Sequence, residues 1–388
     1  MIKNIVLYSS GLGYINRGLE SFTHELYEAI SYENNVNVIL YQGCGKKIKG
    51  SSTIWSLKRN SSLYENPVFN SLKPKSYRIE NIIFTFPIVF KCYRRNFCNC
   101  SQIVHFSESI TANILLKIRQ IFGGNFKLLF SNGGPASPEH YLKYDYVQVL
   151  TPSQYREAIA AGYPKDRLFL VPYGLNCQPF LESLDSEAKL EKRRQWDLPS
   201  DRSIIVSVGA INSSHKRMDW LVKEFASLDP QKYFLWIVGQ TEAETKSIIE
   251  QAHNTLDPNS YKFDTIAYSQ MPNVYQISDY FALASLHEGF GRVYLEAMSA
   301  GLPVIAHRNE NTKWILEEDN LGLIDMRQAG KIADRINYFA SHQAELERQK
   351  IGNRKRAMYF DWNNLKQEYW EMYKKISVDS QLSKKEKV

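Results

Sequence analysis

The sequence predicts an α/β protein of two doubly wound, Rossmann-like domains, each built on a parallel sheet. Three observations carry that prediction. Short apolar runs of four to six residues alternate with stretches of helical period, which is the pattern of parallel α/β sheets. The alternation runs to residue 174, gives way to a charged stretch, and begins afresh at residue 203. A chain of 388 residues also exceeds what one compact core holds.

In the first series the apolar runs predict strands over 5–8, 36–41, 103–106, 126–130, 146–150 and 168–171. Helices are expected between them over 18–30, 110–122 and 153–161, the last with Ser153 as its N-cap. After Val171-Pro172-Tyr173-Gly174 a charged helix is expected over 186–195. The second series then predicts strands over 203–208, 233–238, 261–266, 279–284 and 303–306. Near the end, Asp361-Trp362 followed by Leu365, Tyr369 and Tyr373 reads as an amphipathic helix over 361–376. The expected organisation is an N-terminal domain over 1–174, a C-terminal domain over 175–360 and a polar tail over 377–388, frayed from Ser380 on. The helix over 361–376 is expected to pack back on the N-terminal domain. Ligands of such sheets bind at the carboxyl ends of the strands, so a cleft between the two domains is the expected site.

Composition narrows the classes. Apolar content of 44% with 23% charged residues is that of an ordinary globular protein. No apolar segment approaches the roughly 20 residues that span a bilayer. Met1-Ile2-Lys3-Asn4 leads directly into an apolar run and lacks a cleavage region, so a cytoplasmic protein is expected. Five cysteines give no disulfide framework, and the cluster Cys92, Cys98 and Cys100 contains no C-x2-C pair; reduced thiols are expected rather than a metal site.

The net charge of +7 is uneven. Residues 1–174 carry 20 Lys/Arg against 11 Asp/Glu, and residues 41–100 alone carry 11 against 2. That segment also holds Trp55, Phe69, Tyr77 and Phe86. A basic, aromatic-rich segment can meet an anionic membrane surface or an anionic acceptor, with a plain solvated face as the alternative. No nucleic-acid motif accompanies the charge, so nucleic acid is not an expected partner.

Three loops carry the chemistry. The most informative is Glu288-Gly289-Phe290-Gly291-Arg292-Val293-Tyr294-Leu295-Glu296. Its spacing alone says nothing, because glutamates eight apart recur at Glu20/Glu28, Glu25/Glu33, Glu242/Glu250 and Glu310/Glu318. Its setting is what matters: an apolar run before it, a helix-like Leu295-Glu296-Ala297-Met298-Ser299-Ala300 running out of it, then Gly301 and a further apolar run. Glycines let backbone N–H groups approach a ligand, and a helix start favours anions. Carboxylates beside a phosphate site accept hydroxyls, as the acid that reads ribose does in dinucleotide folds. The second loop, Val208-Gly209-Ala210 to His215-Lys216-Arg217, puts adjacent cations after a strand, which suits a diphosphate. The first loop, Ser9 to Glu20 with Gly11 and Gly13, follows a strand without forming G-x-G-x-x-G.

Taken in order, Val171 to Asn176, Val208-Gly209 with Lys216, Glu288-Gly289-Phe290-Gly291 through Glu296-Ala297-Met298, and Gly301-Leu302-Pro303-Val304 resemble family 4 of the retaining glycosyltransferases, which have the GT-B fold. The resemblance implies transfer of a sugar from a nucleotide donor to an acceptor hydroxyl with retention, in surface polysaccharide or glycolipid synthesis. It implies that Glu296 holds the donor ribose and Glu288 the donor sugar. Backbone N–H groups across Gly289, Phe290, Gly291, Arg292 and Val293 would meet the sugar and diphosphate, Lys216 would bind the diphosphate, and Gly13 would let the first loop meet the donor. The partners implied are a nucleotide-sugar donor and a glycan or lipid-linked acceptor; the basic 41–100 segment adds the expectation of a peripheral place at the inner face of a membrane. No cofactor is expected, and the absence of D-x-D removes the expectation of a metal held by that motif.

Two departures stand out. The family's arginine after Val-Gly is Ala210 here, and Arg217 is the expected replacement. The family's histidine near the acceptor falls where this chain has Ser131-Asn132-Gly133-Gly134, leaving His105 and His140 as candidates for a supporting polar role, with a purely structural histidine as the alternative. A catalytically silent sugar-nucleotide binder, or another GT-B enzyme such as an epimerase or phosphorylase, are the alternative readings.

Overall fold

The computed structural model describes residues 4–15, 18–31, 36–96, 102–134 and 136–385. Cys98, Cys100, Asn16, Arg17 and the last three residues of the tail lie outside them. Residues 1–174 with 365–388 form one compact unit, and residues 175–364 form the other.

The first unit is a seven-stranded sheet. Its strands are β1 (Asn4–Ser9), β2 (Asn37–Gln42), β3 (Ser52–Thr53), β4 (Gln102–Phe106), β5 (Phe126–Ser131), β6 (Tyr146–Val149) and β7 (Leu168–Leu170). All pair in parallel in the order β3-β2-β1-β4-β5-β6-β7. β1 and β4 are buried along their whole length, as strands covered on both faces must be. The helices are α1 (Gly18–Ile30), α2 (Ser76–Asn96), α3 (Ser109–Phe122) and α4 (Pro152–Ala160). The core joins Val6, Tyr8, Val104, Phe106, Leu128 and Val147 to Phe84, Ile88, Ala112 and Leu115 of α2 and α3.

The second unit opens with α5 (Gln178–Leu181) and α6 (Ser186–Gln195). Then strand and helix alternate: β8 (Ser203–Val208), α7 (Met218–Phe225), β9 (Tyr233–Val238), α8 (Thr245–Thr255), β10 (Tyr261–Asp264), α9 (Met271–Gln276), β11 (Tyr280–Leu283), α10 (Arg292–Ser299), β12 (Val304–His307), α11 (Glu310–Leu316) and β13 (Leu323–Ile324). Helices α12 (Lys331–Ser341), α13 (Gln343–Tyr359) and α14 (Trp362–Lys385) finish the chain. The six strands are parallel in the order β10-β9-β8-β11-β12-β13. In both sheets the order reverses beside the opening strand, between β1 and β4 and between β8 and β11. Loops leaving those strands diverge and leave a crevice.

Four details differ from the sequence reading. Thr151, not Ser153, caps α4: its side chain accepts from the Gln154 N–H at 3.3 Å, and Pro152 takes the first helical position that suits it. Helix α14 runs on to Lys385, past the expected end at 376, since no glycine or proline stops it. Helix α2 and the two-residue strands β3 and β13 were not expected at all.

Candidate functional site

The second unit brings its predicted residues to the point where its strand order reverses. β8 lies between β9 and β11, so the loops after β8 and β11 face each other at the carboxyl edge. The β8 loop is shaped by Asn212, whose Oδ1 accepts from the backbone N–H of His215 at 3.1 Å and of Lys216 at 2.7 Å. This is the local turn asparagine favours. Glu244 holds the next residues, accepting from the Ser213 hydroxyl and from the N–H groups of Ser213 and Ser214 at 2.7 and 2.9 Å. These donors, the Ser213 hydroxyl foremost, draw the Glu244 carboxyl down to about 2.

Out of this turn Lys216 donates its Nζ to Glu288 Oε1 at 2.6 Å, with the two side chains 15% and 8% exposed. His215 Nε2 lies 3.1 Å from the His287 carbonyl, which can only accept, so that nitrogen carries the proton. Asn309 and Asn311 donate to the carbonyls of Leu286 and Glu288 at 3.0 and 3.3 Å and fix the β11 loop from its far side.

Helix α10 starts directly after this loop. Its N-cap, Gly291, has φ +75°, and a Cβ there would sit 2.7 Å from the Tyr294 ring, so only glycine fits. Phe290 is buried and packs edge-on against Phe360, 5.8 Å between centroids, which anchors the glycine turn. Arg292 and Val293 form the first turn of α10, where N–H groups lack helical acceptors and attract anions. Further along, buried Glu296 accepts from the Tyr275 hydroxyl at 2.7 Å and the Tyr268 hydroxyl at 3.3 Å. Arg292, one helical turn earlier on the same face, donates to the Tyr268 hydroxyl at 3.2 Å. Burial, then the Glu296 charge, push the Tyr275 phenol well above its usual range, so it remains a donor. The edge thus holds a cation in contact with one carboxylate, a helix start, and a second carboxylate fixed by two phenols. That arrangement suits a diphosphate with hydroxyl-bearing groups on both sides.

Arg217 does something other than expected. Its backbone is left-handed (φ 52°), its guanidinium lies 4.5 Å over the Trp220 ring, and Nη1 donates to the carbonyls of Ala284 and Met326 at 3.3 and 3.1 Å. It fastens α7 to the ends of β11 and β13, and of the two adjacent cations it is Lys216 that pairs with Glu288. Among the described residues, no group of three His, Cys, Asp or Glu is placed to hold a metal ion.

In the first unit Gly13 answers a packing need. With φ +86° it accepts the Lys46 N–H at 2.9 Å, and a Cβ would lie 2.3 Å from the Lys46 carbonyl oxygen. His105 is buried with both ring nitrogens engaged, Nε2 at 2.9 Å from Gln148 Oε1 and Nδ1 at 2.8 Å from the Tyr373 hydroxyl. The Gln148 amide N–H groups go to the Val171 carbonyl and the Tyr369 hydroxyl, so its oxygen must accept and His105 Nε2 must donate. Burial lowers the His105 pKa to about 4, which keeps it neutral with Nδ1 accepting from Tyr373. Gln148 also accepts from Ser131, the residue standing where a histidine was looked for. His105 is therefore a fixed brace between β4, β6 and α14, with no nitrogen left for a substrate. His140 is a surface residue paired with Ser137 at 2.9 Å.

Sequence reasoning missed Tyr268, Tyr275, Asn212 and Glu108. Glu108 follows β4 at the first sheet's own reversal point. It is buried and accepts from the Ser10 N–H at 3.0 Å and the Ser10 hydroxyl at 3.0 Å. Burial, and next the nearby Glu20 charge, raise its carboxyl to about 7. A lone acid directly after the apolar run 103–106 was the available signal.

Both sheets are those of the GT-B glycosyltransferase fold. Residues 188–358, which contain Lys216, Glu288 and Glu296, match the family described as glycosyl transferases group 1. An uncharacterized glycosyltransferase of Methanocaldococcus jannaschii is 24% identical over 250 residues, covering 61% of this chain and 62% of that protein. The alpha-galactosylglucosyldiacylglycerol synthase of Streptococcus pneumoniae is 25% identical over 180 residues, covering 46% and 47%. The chain thus spans less than two thirds of the length of these relatives. Among solved structures, Anabaena HepE in complex with UDP superposes with a TM-score of 0.72 at 17% identity, covering 96% of this chain and 100% of that one.

Proposed function

We propose that the chain is a retaining glycosyltransferase of family 4 that moves a sugar from a nucleotide-diphosphate donor to an acceptor hydroxyl. The observation that carries the reading is the Lys216–Glu288 contact at the strand-reversal point, beside the start of α10. In this reading the donor diphosphate displaces Glu288 from Lys216, which then neutralises the charge that grows as the diphosphate leaves. The freed Glu288 carboxylate accepts sugar hydroxyls, and Glu296 accepts those of the ribose. The bond from the sugar's anomeric carbon to the diphosphate breaks, the bond to the acceptor oxygen forms on the same face, and the acceptor proton passes to the departing phosphate. No step is assigned to a metal, so donor turnover should survive EDTA.

The acceptor is proposed to be a glycan or lipid-linked sugar in surface polysaccharide or glycolipid synthesis, reached at the inner face of a membrane. The glycolipid synthase among the relatives supports that class, and the basic 41–100 segment supports the surface. No described helix is long and apolar enough to cross a membrane.

The test is a panel of UDP-, GDP- and ADP-sugars, scored by thermal shift and by release of nucleoside diphosphate. The reading expects one donor class to do both and Glu288→Gln to abolish release. A thermal shift without release, even with acceptor mixtures present, would leave a silent binder; neither signal with any donor overturns the reading.

A further inference from the structure

Helix α2 has two apolar sides. Its inner side is used by the first unit's core: Phe84, Ile88 and Cys92 are buried, and so are Asn81 and Thr85. Its outer side carries Ile82, Phe86 and Phe90, each four residues from the last on a row that winds about 40° round the helix per step, with Arg78 one step before it and Arg94 one step after. Ile82, Phe86 and Phe90 are 37%, 66% and 67% exposed, and both arginines are exposed. From Arg78 to Arg94 the helix rises roughly 24 Å. Nearby, Trp55, Leu63, Val68, Phe69, Leu72 and Tyr77 are exposed too, so nine of the eighteen exposed large hydrophobic residues among the described ones fall within 55–90.

The charge on this region has one sign. Of its two acids, Glu80 is fully buried and paired with Arg59 at 2.5 Å, which leaves Glu65 as the one exposed acid. Exposed Lys73 and Lys75 precede the helix. An apolar stripe with cations at both ends and beside it is what an interfacial helix needs: ring burial at the acyl boundary and attraction to anionic headgroups.

We propose that the outer stripe of α2 docks this protein on an anionic bilayer surface, the helix lying in the membrane plane. Ile82, Phe86 and Phe90 enter the acyl boundary, while Arg78, Arg94, Lys73 and Lys75 meet the headgroups. The proposal rests on the transferase reading only for what docking serves, presenting a membrane-held acceptor. A second copy of the chain covering the stripe is the competing occupant, disfavoured because it would bring cationic faces together.

The experiment is co-sedimentation of the full chain with vesicles of phosphatidylcholine alone or mixed with phosphatidylglycerol. Binding is expected to the anionic vesicles. The double variant Phe86→Ser with Phe90→Ser should weaken it by at least about tenfold at low and high salt. Arg78→Gln with Arg94→Gln should cost about fivefold per charge, an effect that salt erases. Both variants should melt as the wild type does and release nucleoside diphosphate from donor at the wild-type rate. Unchanged vesicle binding by the phenylalanine variant overturns the proposal. So does a lipid-free dimer that this variant dissociates. Absence of donor turnover in the wild type would count against the transferase reading alone, since vesicle binding is scored independently of it.

Discussion

Lys216 and Glu288 neutralise each other at 2.6 Å with little solvent between them. Removing Glu288's charge by Glu288→Gln should therefore leave nucleoside diphosphate binding intact or improved while sugar transfer collapses. Equal loss of both would contradict the division of labour. Tyr275→Phe removes a 2.7 Å bond to a buried carboxylate, worth about 2 kcal/mol for a charged acceptor. The expected outcome is a donor KM raised about tenfold or more with kcat changed little, read from initial rates. Glu108 offers a pH signature. Its folded pKa of about 7 lies above the ordinary 4.5, so the stability it contributes is complete below about 4.5 and is lost as pH rises through about 7. Glu108→Gln removes that loss, roughly 3 kcal/mol at most. Its melting temperature should gain on the wild type's as pH rises from 4.5 to above 7, and a pH-independent difference would refute the burial argument. His105 has the opposite sign: its folded pKa of about 4 lies below 6.5, so the protein loses stability as pH falls from 6.5 toward 4.

The β8 and β11 loops and α10 act as one element because each is pinned at its root, by Asn212, by Asn309 and Asn311, and by Gly291. Gly291→Ala forces a left-handed backbone on a residue with a Cβ and drives that carbon toward the Tyr294 ring. A cost of about 1–2 kcal/mol from the backbone alone is expected, seen as a lower melting temperature together with weaker donor binding. Sequence legibility tracked how local each cause is. β8 and β9 fall at 203–208 and 233–238 as their apolar runs require, and α1 spans 18–30. Helix α2 hid because it is apolar on both sides, which erases the one-sided period that marks a helix. Strands β3 and β13, two residues each, are too short to carry a period. In the site, Lys216 and Glu288 were legible from loop composition. The Tyr268–Tyr275–Glu296 cluster was not, because its members meet only through folding, with no spacing to announce them. Gly13 and His105 were singled out for a substrate, yet packing against Lys46 and a bond network to α14 account for them.

At the scale of the molecule, the two units divide the physical features unevenly. The second carries the ion pair, the helix start and the buried carboxylate of Glu296 held by two phenols, and holds the family match over 188–358. The first carries the excess positive charge, the exposed aromatic helix and the buried, strongly shifted Glu108 and His105. Salt should accordingly weaken vesicle binding while leaving donor turnover by the wild type nearly unchanged, since the Lys216–Glu288 pair is shielded from solvent. The central claim is that Lys216 grips a donor diphosphate at the reversal point of the second sheet. It is tested most directly by calorimetric titration of the full chain with UDP, GDP and ADP, comparing wild type with Lys216→Ala. For the diphosphate that binds, the account predicts a Kd about thirtyfold weaker in the variant, the worth of one charge-assisted contact of about 2 kcal/mol. A Kd equal to the wild type's, in a variant that still folds, would contradict it.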